Sequence, residues 1–133
     1  MGLIGGSVAL ALKKAGHATY IVGVGRRLDS LQLAKNLGVI DAVETDVRAA
    51  CEDADVILIA APVAQTAGIL KSIQPHLNHT TVVTDAGSTK GDVLGAAEEI
   101  LGSQIHQFVG GHPIAGAEKS GVTAATTDLF MGK

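Results

Sequence analysis

Short apolar runs rich in β-branched residues alternate along this chain with longer segments that carry apolar residues at helical spacing. The short runs predict buried strands, and the longer segments, several of which stop at Gly or Pro, predict helices. The predicted strands cover residues 19–24, 39–43, 55–61, 80–85 and 105–109. The predicted helices cover residues 7–15, 28–37, 46–52, 64–73, 89–101 and 117–125, the second of them with Asp29 or Ser30 at its start.

Strands that alternate with helices of this length indicate right-handed βαβ units and a parallel sheet covered on both faces. The pattern therefore predicts one α/β domain over residues 1–133, with a doubly wound, Rossmann-like parallel sheet that binds a dinucleotide. Such a domain opens with a strand, a glycine-rich turn and a helix. This sequence starts on the turn, so we expect the first strand to be absent from it and Met1 to be an internal methionine of a longer reading frame.

Composition and charge narrow the class of ligand. With 47% hydrophobic and 17% charged residues, the chain has the makeup of a globular protein. A formal net charge of -3 leaves no basic face for nucleic acid, and no apolar run is long enough to span a membrane. The single cysteine, Cys51, cannot form an intramolecular disulfide, which favours a reducing cytoplasm. The expected partner is a small molecule.

The first residues supply the last part of a G-x-G-x-x-G fingerprint, with Gly2 as its second glycine and Gly5 as its third. A side chain at Gly2 would hold the backbone away from a pyrophosphate, and one at Gly5 would hold the helix off the sheet. Gly2, Leu3, Ile4 and Gly5 are therefore predicted to bind the cofactor, whose phosphates would meet the free N–H groups of the helix. The alternative is an ordinary flexible start.

The next predicted strand ends in Gly25-Arg26-Arg27, without the acidic residue that binds the ribose of NAD. Arginine side chains suit a 2′-phosphate, because the guanidinium group pairs with phosphate oxygens through charge-assisted hydrogen bonds. Arg26 and Arg27 are predicted cofactor-binding residues, and NADP is favoured over NAD. Both arginines could instead be solvated at a helix entrance, since Asp29 lies close by.

Two motifs follow consecutive strands in the second half. Thr84-Asp85-Ala86-Gly87-Ser88-Thr89-Lys90-Gly91 opens a helix, and the second motif runs Gly110-Gly111-His112-Pro113-Ile114-Ala115-Gly116-Ala117-Glu118-Lys119-Ser120-Gly121. Ligands of open parallel sheets bind beyond the carboxyl ends of the strands, where both motifs fall. Asp85 is expected to hold the following loop through backbone N–H groups.

Less specific interpretations of these residues remain open. Ser88 could cap the helix that begins at Thr89, and Glu118 and Lys119 could be solvated residues of a helix's first turn. His112 could be an ordinary packed histidine, although the Gly-Gly pair before it and the proline after it constrain its backbone. The other histidines are interpreted as surface or packed residues: His17, His76, His79 and His106. Cys51 is expected to be structural, and no metal site is predicted.

The two motifs, with the glycine-rich start, the Ala61-Pro62-Val63 turn and the stretch 38–43, resemble the prephenate and arogenate dehydrogenase family. The resemblance runs from residue 2 to residue 133. It implies an enzyme of tyrosine biosynthesis that transfers hydride to NADP or NAD while prephenate or arogenate loses carbon dioxide. Family members continue into an all-helical domain that forms a homodimer, and we expect that domain to be absent here and the chain alone to be inactive.

The resemblance also implies residue roles. His112 matches the catalytic histidine that accepts the proton of the substrate's ring hydroxyl, and Ser88 matches the serine that contacts the same hydroxyl. The motif residues assigned to the substrate mouth are Lys90, Glu118, Lys119 and Ser120. Ala61, Pro62 and Val63 match the turn beside the cofactor's ribose and nicotinamide.

Two alternatives of different class accompany this interpretation. A non-catalytic dinucleotide-binding remnant of such an enzyme would share the fold, but it has no reason to retain Ser88 and His112. Another two-domain dehydrogenase, acting on hydroxy acids or imines, would not explain the second motif. The sequence leaves open the choice between prephenate and arogenate, inhibition by tyrosine and the oligomeric state.

Overall fold

Helices and parallel strands alternate along the chain in the structure, a computed structural model that describes residues 1–18, 20–112 and 120–131. The chain divides into two units. The first unit consists of Met1–Asp46 and Pro113–Lys133, and the second unit is Val47–His112.

The first unit is built on two parallel strands. Its elements in chain order are helix α1 (Leu3–Lys14), strand β1 (Val22–Val24), helix α2 (Leu28–Asn36), strand β2 (Ala42–Glu44) and a 3-10 turn (Val122–Ala124). β1 pairs with β2 in register Gly23↔Val43. Gly16 and Gly38 follow the two helices with φ of 73° and 76°, which confirms the predicted helix-ending glycines.

The second unit is built on three parallel strands in the order β3-β4-β5. Its elements are helix α3 (Val47–Glu52), strand β3 (Val56–Ile59), helix α4 (Val63–Ile73), a 3-10 turn (Gln74–His76), strand β4 (Val82–Asp85), helix α5 (Lys90–Leu101), a 3-10 segment (Gly102–Gln107) and strand β5 (Phe108–Val109). The parallel pairing and the alternation with helices confirm the predicted Rossmann-like fold.

Each unit has its own apolar core of aliphatic side chains. In the first unit the buried residues are Ala9, Leu31, Ala34, Val39, Ile40 and Val122. In the second unit they are Cys51, Ile59, Leu70, Ile73, Val83, Ala97 and Leu101. Burial raises the pKa of the Cys51 thiol, so this cysteine packs as a small apolar residue, as predicted.

Several element predictions need correction. The predicted strand 19–24 has Thr19 outside the described residues and begins only at Val22, because the Ile21 N–H donates to Asp41 Oδ2 at 2.7 Å and leaves the ladder. The predicted strand 105–109 begins at Phe108. The Gln107 side chain donates to the carbonyls of Asn78 and Thr81 and holds the preceding residues in the 3-10 segment.

The third correction concerns the last predicted helix, 117–125. Residues 117–119 lie outside the described residues, and the remainder forms only the Val122–Ala124 turn. Gly121 has φ of 85° immediately before it, a left-handed conformation that does not continue a helix. The helix predicted at 28–37 does form, but it begins at Leu28 with Arg27 as N-cap, so Asp29 lies inside its first turn.

Candidate functional site

The glycine-rich start forms the first turn of a helix. α1 begins at Leu3, four residues earlier than predicted, and Gly2 is its N-cap with extended backbone. A methyl group added at Gly2 would meet no atom within 4 Å, so the approach to the helix end is open. The end of a helix of this length offers unpaired N–H groups and a partial positive charge, which suit a phosphate.

A further glycine in this turn was not singled out from the sequence. A methyl at Gly6 would lie 2.9 Å from Cβ of Ala125 and 3.4 Å from Cγ2 of Val122. The Oγ atom of the next residue, Ser7, accepts a hydrogen bond from Thr126 N–H at 3.1 Å. Gly6 therefore allows α1 to pack against residues 122–126, a contact between ends of the sequence that no local pattern signals.

Arg26 and Arg27 follow β1 and are exposed, with their side chains at the carboxyl end of that strand. Arg27 forms an ion pair with Asp29 at 3.5 Å, and the two side chains are 78% and 76% exposed. A pair this exposed contributes little to stability, because water and salt screen it. Both arginines remain accessible to an anionic ligand.

The Ala61-Pro62-Val63 turn joins β3 to α4 at the carboxyl end of the second sheet. Pro62 is the N-cap of α4, and its carbonyl accepts a hydrogen bond from Gln65 N–H at 2.8 Å. Proline fixes φ at this position without losing a helical hydrogen bond. The chain therefore leaves the sheet in a defined direction where the sequence predicts a cofactor contact.

Asp85 ends β4, and among the described residues of the two motifs it has the most enclosed ionisable side chain, with 1% of its side-chain surface exposed. Its Oδ2 accepts a hydrogen bond from Gly87 N–H at 2.8 Å, and its Oδ1 accepts one from Gly111 N–H at 3.1 Å. Lys90 donates to the same Oδ2. The expectation that Asp85 holds the following loop is confirmed, and the same carboxylate also binds the loop after β5.

Burial and hydrogen bonding have opposite effects on the pKa of Asp85. Burial alone would raise the pKa of the carboxyl, but the hydrogen bonds from Lys90, Gly111 and Gly87 outweigh it, and the pKa lies below its ordinary value. Asp85 is therefore a charged acceptor of hydrogen bonds near neutral pH and not a proton donor.

Two glycines around Asp85 have no room for a side chain. A methyl at Gly111 would lie 2.6 Å from the Asp85 carbonyl oxygen, and one at Gly87 would lie 2.9 Å from Asp85 Oδ2. Neither glycine has a positive φ, so the requirement comes from close approach and not from backbone strain. These distances explain the Gly-Gly and Ala-Gly pairs of the two motifs.

Ser88 and His112 each follow one of these glycines, and both are exposed. The helix after Ser88 has Thr89 as its N-cap and no side-chain capping hydrogen bond, so the alternative that Ser88 caps this helix is wrong. The structure places both residues at the carboxyl end of the second sheet, as predicted, on loops bound to one carboxylate.

Of the four residues assigned to the substrate mouth, two are among the described residues. Lys90 is 29% exposed and paired with Asp85, a contact that the sequence did not predict. Ser120 is exposed, and it belongs to the first unit. Glu118 and Lys119 lie outside the described residues.

The histidines outside the two motifs form no metal-binding cluster in the part of the chain that the structure describes. His106 is exposed and its Nδ1 lies 2.9 Å from the Ser103 carbonyl, and His17 and His79 are exposed as well. Within residues 1–18, 20–112 and 120–131, no group of His, Cys, Asp and Glu side chains could hold a metal ion. Over the same described stretches, no helix is both long and apolar enough to cross a membrane.

Comparison with known proteins agrees with this geometry. Residues 8–133 match a family model described as the nucleotide-binding domain of prephenate dehydrogenase. The chain belongs to the prephenate dehydrogenase family. It is 42% identical over 131 residues to prephenate dehydrogenase of Bacillus subtilis and 40% identical to that of Lactococcus lactis, covering 98% of this chain in both cases. The chain spans 35% and 36% of the length of these two relatives.

Solved structures of the family have the same fold. Prephenate dehydrogenase from A. aeolicus, in complex with hydroxyphenyl propionate and NAD+, superimposes with a TM-score of 0.89 at 38% identity. The match covers 99% of this chain and 46% of that one. Synechocystis arogenate dehydrogenase gives a TM-score of 0.84 at 31% identity, covering 96% of this chain and 44% of that one.

Proposed function

We propose that this chain is the nucleotide-binding part of an NAD(P)-dependent dehydrogenase that oxidatively decarboxylates prephenate or arogenate in tyrosine biosynthesis. The observation that carries the proposal is the pair of loops bound to Asp85, which present Ser88 and His112 at the carboxyl end of one sheet. The names of the relatives supply the substrate class. A remnant without catalysis would not need this arrangement.

His112 is the proposed general base. It hydrogen-bonds the ring hydroxyl of the substrate and takes its proton, a task that suits an imidazole because its ordinary pKa lies near neutral pH. Ser88 contacts the same hydroxyl and orients it. When bound, the nicotinamide would accept the hydride from the carbon that bears this hydroxyl. The ring carboxylate then leaves as carbon dioxide, its bonding electrons complete the aromatic ring, and the phenolate oxygen takes back the proton held by His112.

Lys90, Glu118, Lys119 and Ser120 are proposed to line the substrate mouth. The Lys90 ammonium has three N–H donors, so its ion pair with Asp85 leaves donors for a substrate carboxylate. Its partial exposure is consistent with that second contact.

Each unit has its own residues that are proposed to contact the cofactor. In the first unit, Gly2, Leu3, Ile4 and Gly5 would hold the phosphates, since the helix end is open and no side chain stands at Gly2. In the second unit, Ala61, Pro62 and Val63 would contact the ribose and nicotinamide.

The proposed preference for NADP depends on Arg26 and Arg27, which are exposed where the acidic ribose acceptor of an NAD enzyme would be expected. The A. aeolicus relative was solved with NAD+, which favours the other cofactor. A homodimer in the full-length protein, a cytoplasmic location and inactivity of the 133 residues alone also stay predictions.

The direct test is a kinetic comparison with purified full-length protein. Prephenate and arogenate are each offered with NAD+ and with NADP+, and reduced cofactor is measured alongside cofactor binding. We expect turnover of at least one substrate, with a higher kcat/KM for NADP+. Tight cofactor binding without turnover of either substrate would favour the non-catalytic remnant.

A further inference from the structure

Asp85 stands between the two loops that carry Ser88 and His112. Its backbone is fixed in the sheet, where it pairs with Ile59 of β3. Its side chain points out of the strand end and uses both oxygens, one for the N–H of Gly87 and one for the N–H of Gly111. Each bonded glycine immediately precedes one of the two proposed active-site residues.

Lys90 completes this arrangement. Its ammonium pairs with Asp85 Oδ2, and its stem passes the loop after β5, because a methyl at Gly110 would lie 3.5 Å from Lys90 Cδ. A carboxylate with 1% of its surface exposed needs such a partner, since an uncompensated buried charge is strongly destabilising. The lysine thus compensates the charge of Asp85 and passes close to the loop after β5.

We infer that Asp85, compensated by Lys90, is a positioning residue that sets the spacing between Ser88 and His112; the inference rests on the proposed function. A carboxylate accepts hydrogen bonds at both oxygens, whereas an amide has one acceptor and one donor group. Only a charged Asp can bind both loops and Lys90 together. Glycines 87 and 111 allow the close approach that these bonds require.

The consequence for catalysis follows from geometry. A proton acceptor and an orienting hydroxyl act on the same substrate group only if their separation is fixed, and a displacement of about 1 Å can lower the rate by about 100-fold. Loosening one loop should therefore lower kcat with a much smaller effect on cofactor binding, because none of the groups that Asp85 binds is proposed to contact the cofactor.

The test compares Asp85→Asn with Asp41→Asn in the full-length protein. Asp41 is a matched control, because it also binds a lysine, Lys13, and a backbone N–H, that of Ile21, but at the start of β2 in the first unit. We expect Asp85→Asn to lower kcat by about 10- to 100-fold with cofactor affinity within about threefold of wild type. Asp41→Asn should keep kcat within about twofold of wild type, even if it lowers the melting temperature equally.

A second readout does not depend on activity. Hydrogen exchange, followed by mass spectrometry on substrate-free protein, reports the amides of Gly87 and Gly111. We expect Asp85→Asn to speed exchange in both peptides by at least about tenfold, as loss of a charge-assisted bond implies, and Asp41→Asn to leave both unchanged. If wild-type protein turns over no substrate, the proposed function fails, while the exchange result still decides whether Asp85 holds both loops.

Lys90→Met provides the test if Asp85→Asn does not fold. It should speed exchange in the same peptides and lower kcat, and Lys90→Arg should restore both. Unchanged exchange in Asp85→Asn or Lys90→Met would overturn the inference. So would faster exchange with kcat within about twofold of wild type, because mobile loops would then be compatible with full catalysis.

Discussion

Asp41 in the first unit and Asp85 in the second each accept hydrogen bonds from a lysine and from at least one backbone N–H, but the two aspartates differ in place and in enclosure. Asp41 lies at the amino end of β2, 32% exposed, and binds Ile21 and Lys13. Asp85 lies at the carboxyl end of β4, 1% exposed, and binds two loops and Lys90. In both cases hydrogen bonds to the carboxylate hold its pKa below the ordinary value.

The same kind of aspartate contacts has a structural role at Asp41 and a proposed functional role at Asp85. At the amino end of a strand, an aspartate holds the starts of two neighbouring strands together, away from the ligand-binding edge of a parallel sheet. At the carboxyl end of a strand, the same contacts fix loops that face the ligand-binding edge of a parallel sheet. The following predictions test this distinction, from the largest expected effect to the smallest.

Replacing His112 should give the largest loss. His112→Asn in the full-length protein removes the proposed base and should lower kcat by at least about 100-fold, with cofactor binding nearly intact. Steady-state kinetics and cofactor titration measure the two quantities. His106→Asn is the control, because His106 is exposed and bonded only to its own turn, and it should have nearly wild-type kcat. Equal loss of turnover and cofactor binding in His112→Asn would indicate misfolding and remove the support for a catalytic role.

A glycine-to-alanine substitution should have opposite effects on stability at Gly111 in the crowded loop and at Gly95 on the open helix surface. Gly111→Ala puts Cβ 2.6 Å from the Asp85 carbonyl oxygen, so we expect it to destabilise the protein by about 1–3 kcal/mol and to lower kcat. Gly95→Ala in α5 meets nothing within 4 Å and should instead stabilise by up to about 1 kcal/mol. Chemical unfolding measures both values, and a neutral Gly111→Ala would contradict the close packing of the two loops.

The preference between NADP and NAD should change with substitutions in the first unit and not with the control substitution in the second. The double substitution Gly25→Asp with Arg26→Ser adds a ribose acceptor and removes a phosphate donor, so the NADP-to-NAD ratio of kcat/KM should fall at least about tenfold. The backbone at Gly25 has room for a Cβ atom, which would lie 3.7 Å from Leu31 Cδ1. Arg48→Ser, an exposed arginine of the second unit, should leave the ratio unchanged. An unchanged ratio in the double variant refutes the role of Arg26.

The smallest expected effect is on how the free energy of unfolding changes with pH in the acid range. The pKa of Asp85 lies below its ordinary value of about 3.9 in the folded protein. A carboxyl of this kind stabilises the fold above its unfolded pKa, and the contribution is lost as pH falls through its folded pKa. The free energy of unfolding should therefore decline below about pH 4, less steeply in Asp85→Asn than in wild type. Parallel curves for the two proteins would show that the Asp85 charge adds no stability.

The order of elements was predictable from the sequence because apolar periodicity is local. The two loop motifs were also predictable, since strand ends in a parallel sheet locate the ligand edge. Less of the contact geometry was foreseen. Ile21 of the predicted first strand lies outside the β1–β2 pairing because its N–H donates to Asp41, and the last strand is shortened by the Gln107 side chain. Both effects depend on hydrogen bonds between residues at least twenty positions apart.

Contacts between distant residues were also missed within the predicted site. Asp85 was recognised as a loop-holding residue from its place before a Gly-Ser turn, but its bond to Gly111 joins two motifs and has no local signal. Lys90 was assigned to the substrate mouth. Its ion pair with Asp85 has no local signal in the sequence, because it depends on where helix α5 begins relative to the end of β4. The role of Gly6 likewise depends on Ala125, which is distant in sequence.

The most direct measurement of the central claim is the stoichiometry of a single turnover by full-length protein with prephenate or arogenate. The account predicts equal amounts of carbon dioxide and reduced cofactor in wild type, and loss of both together in His112→Asn. Carbon dioxide release that survives in His112→Asn, or cofactor reduction without carbon dioxide, would contradict it.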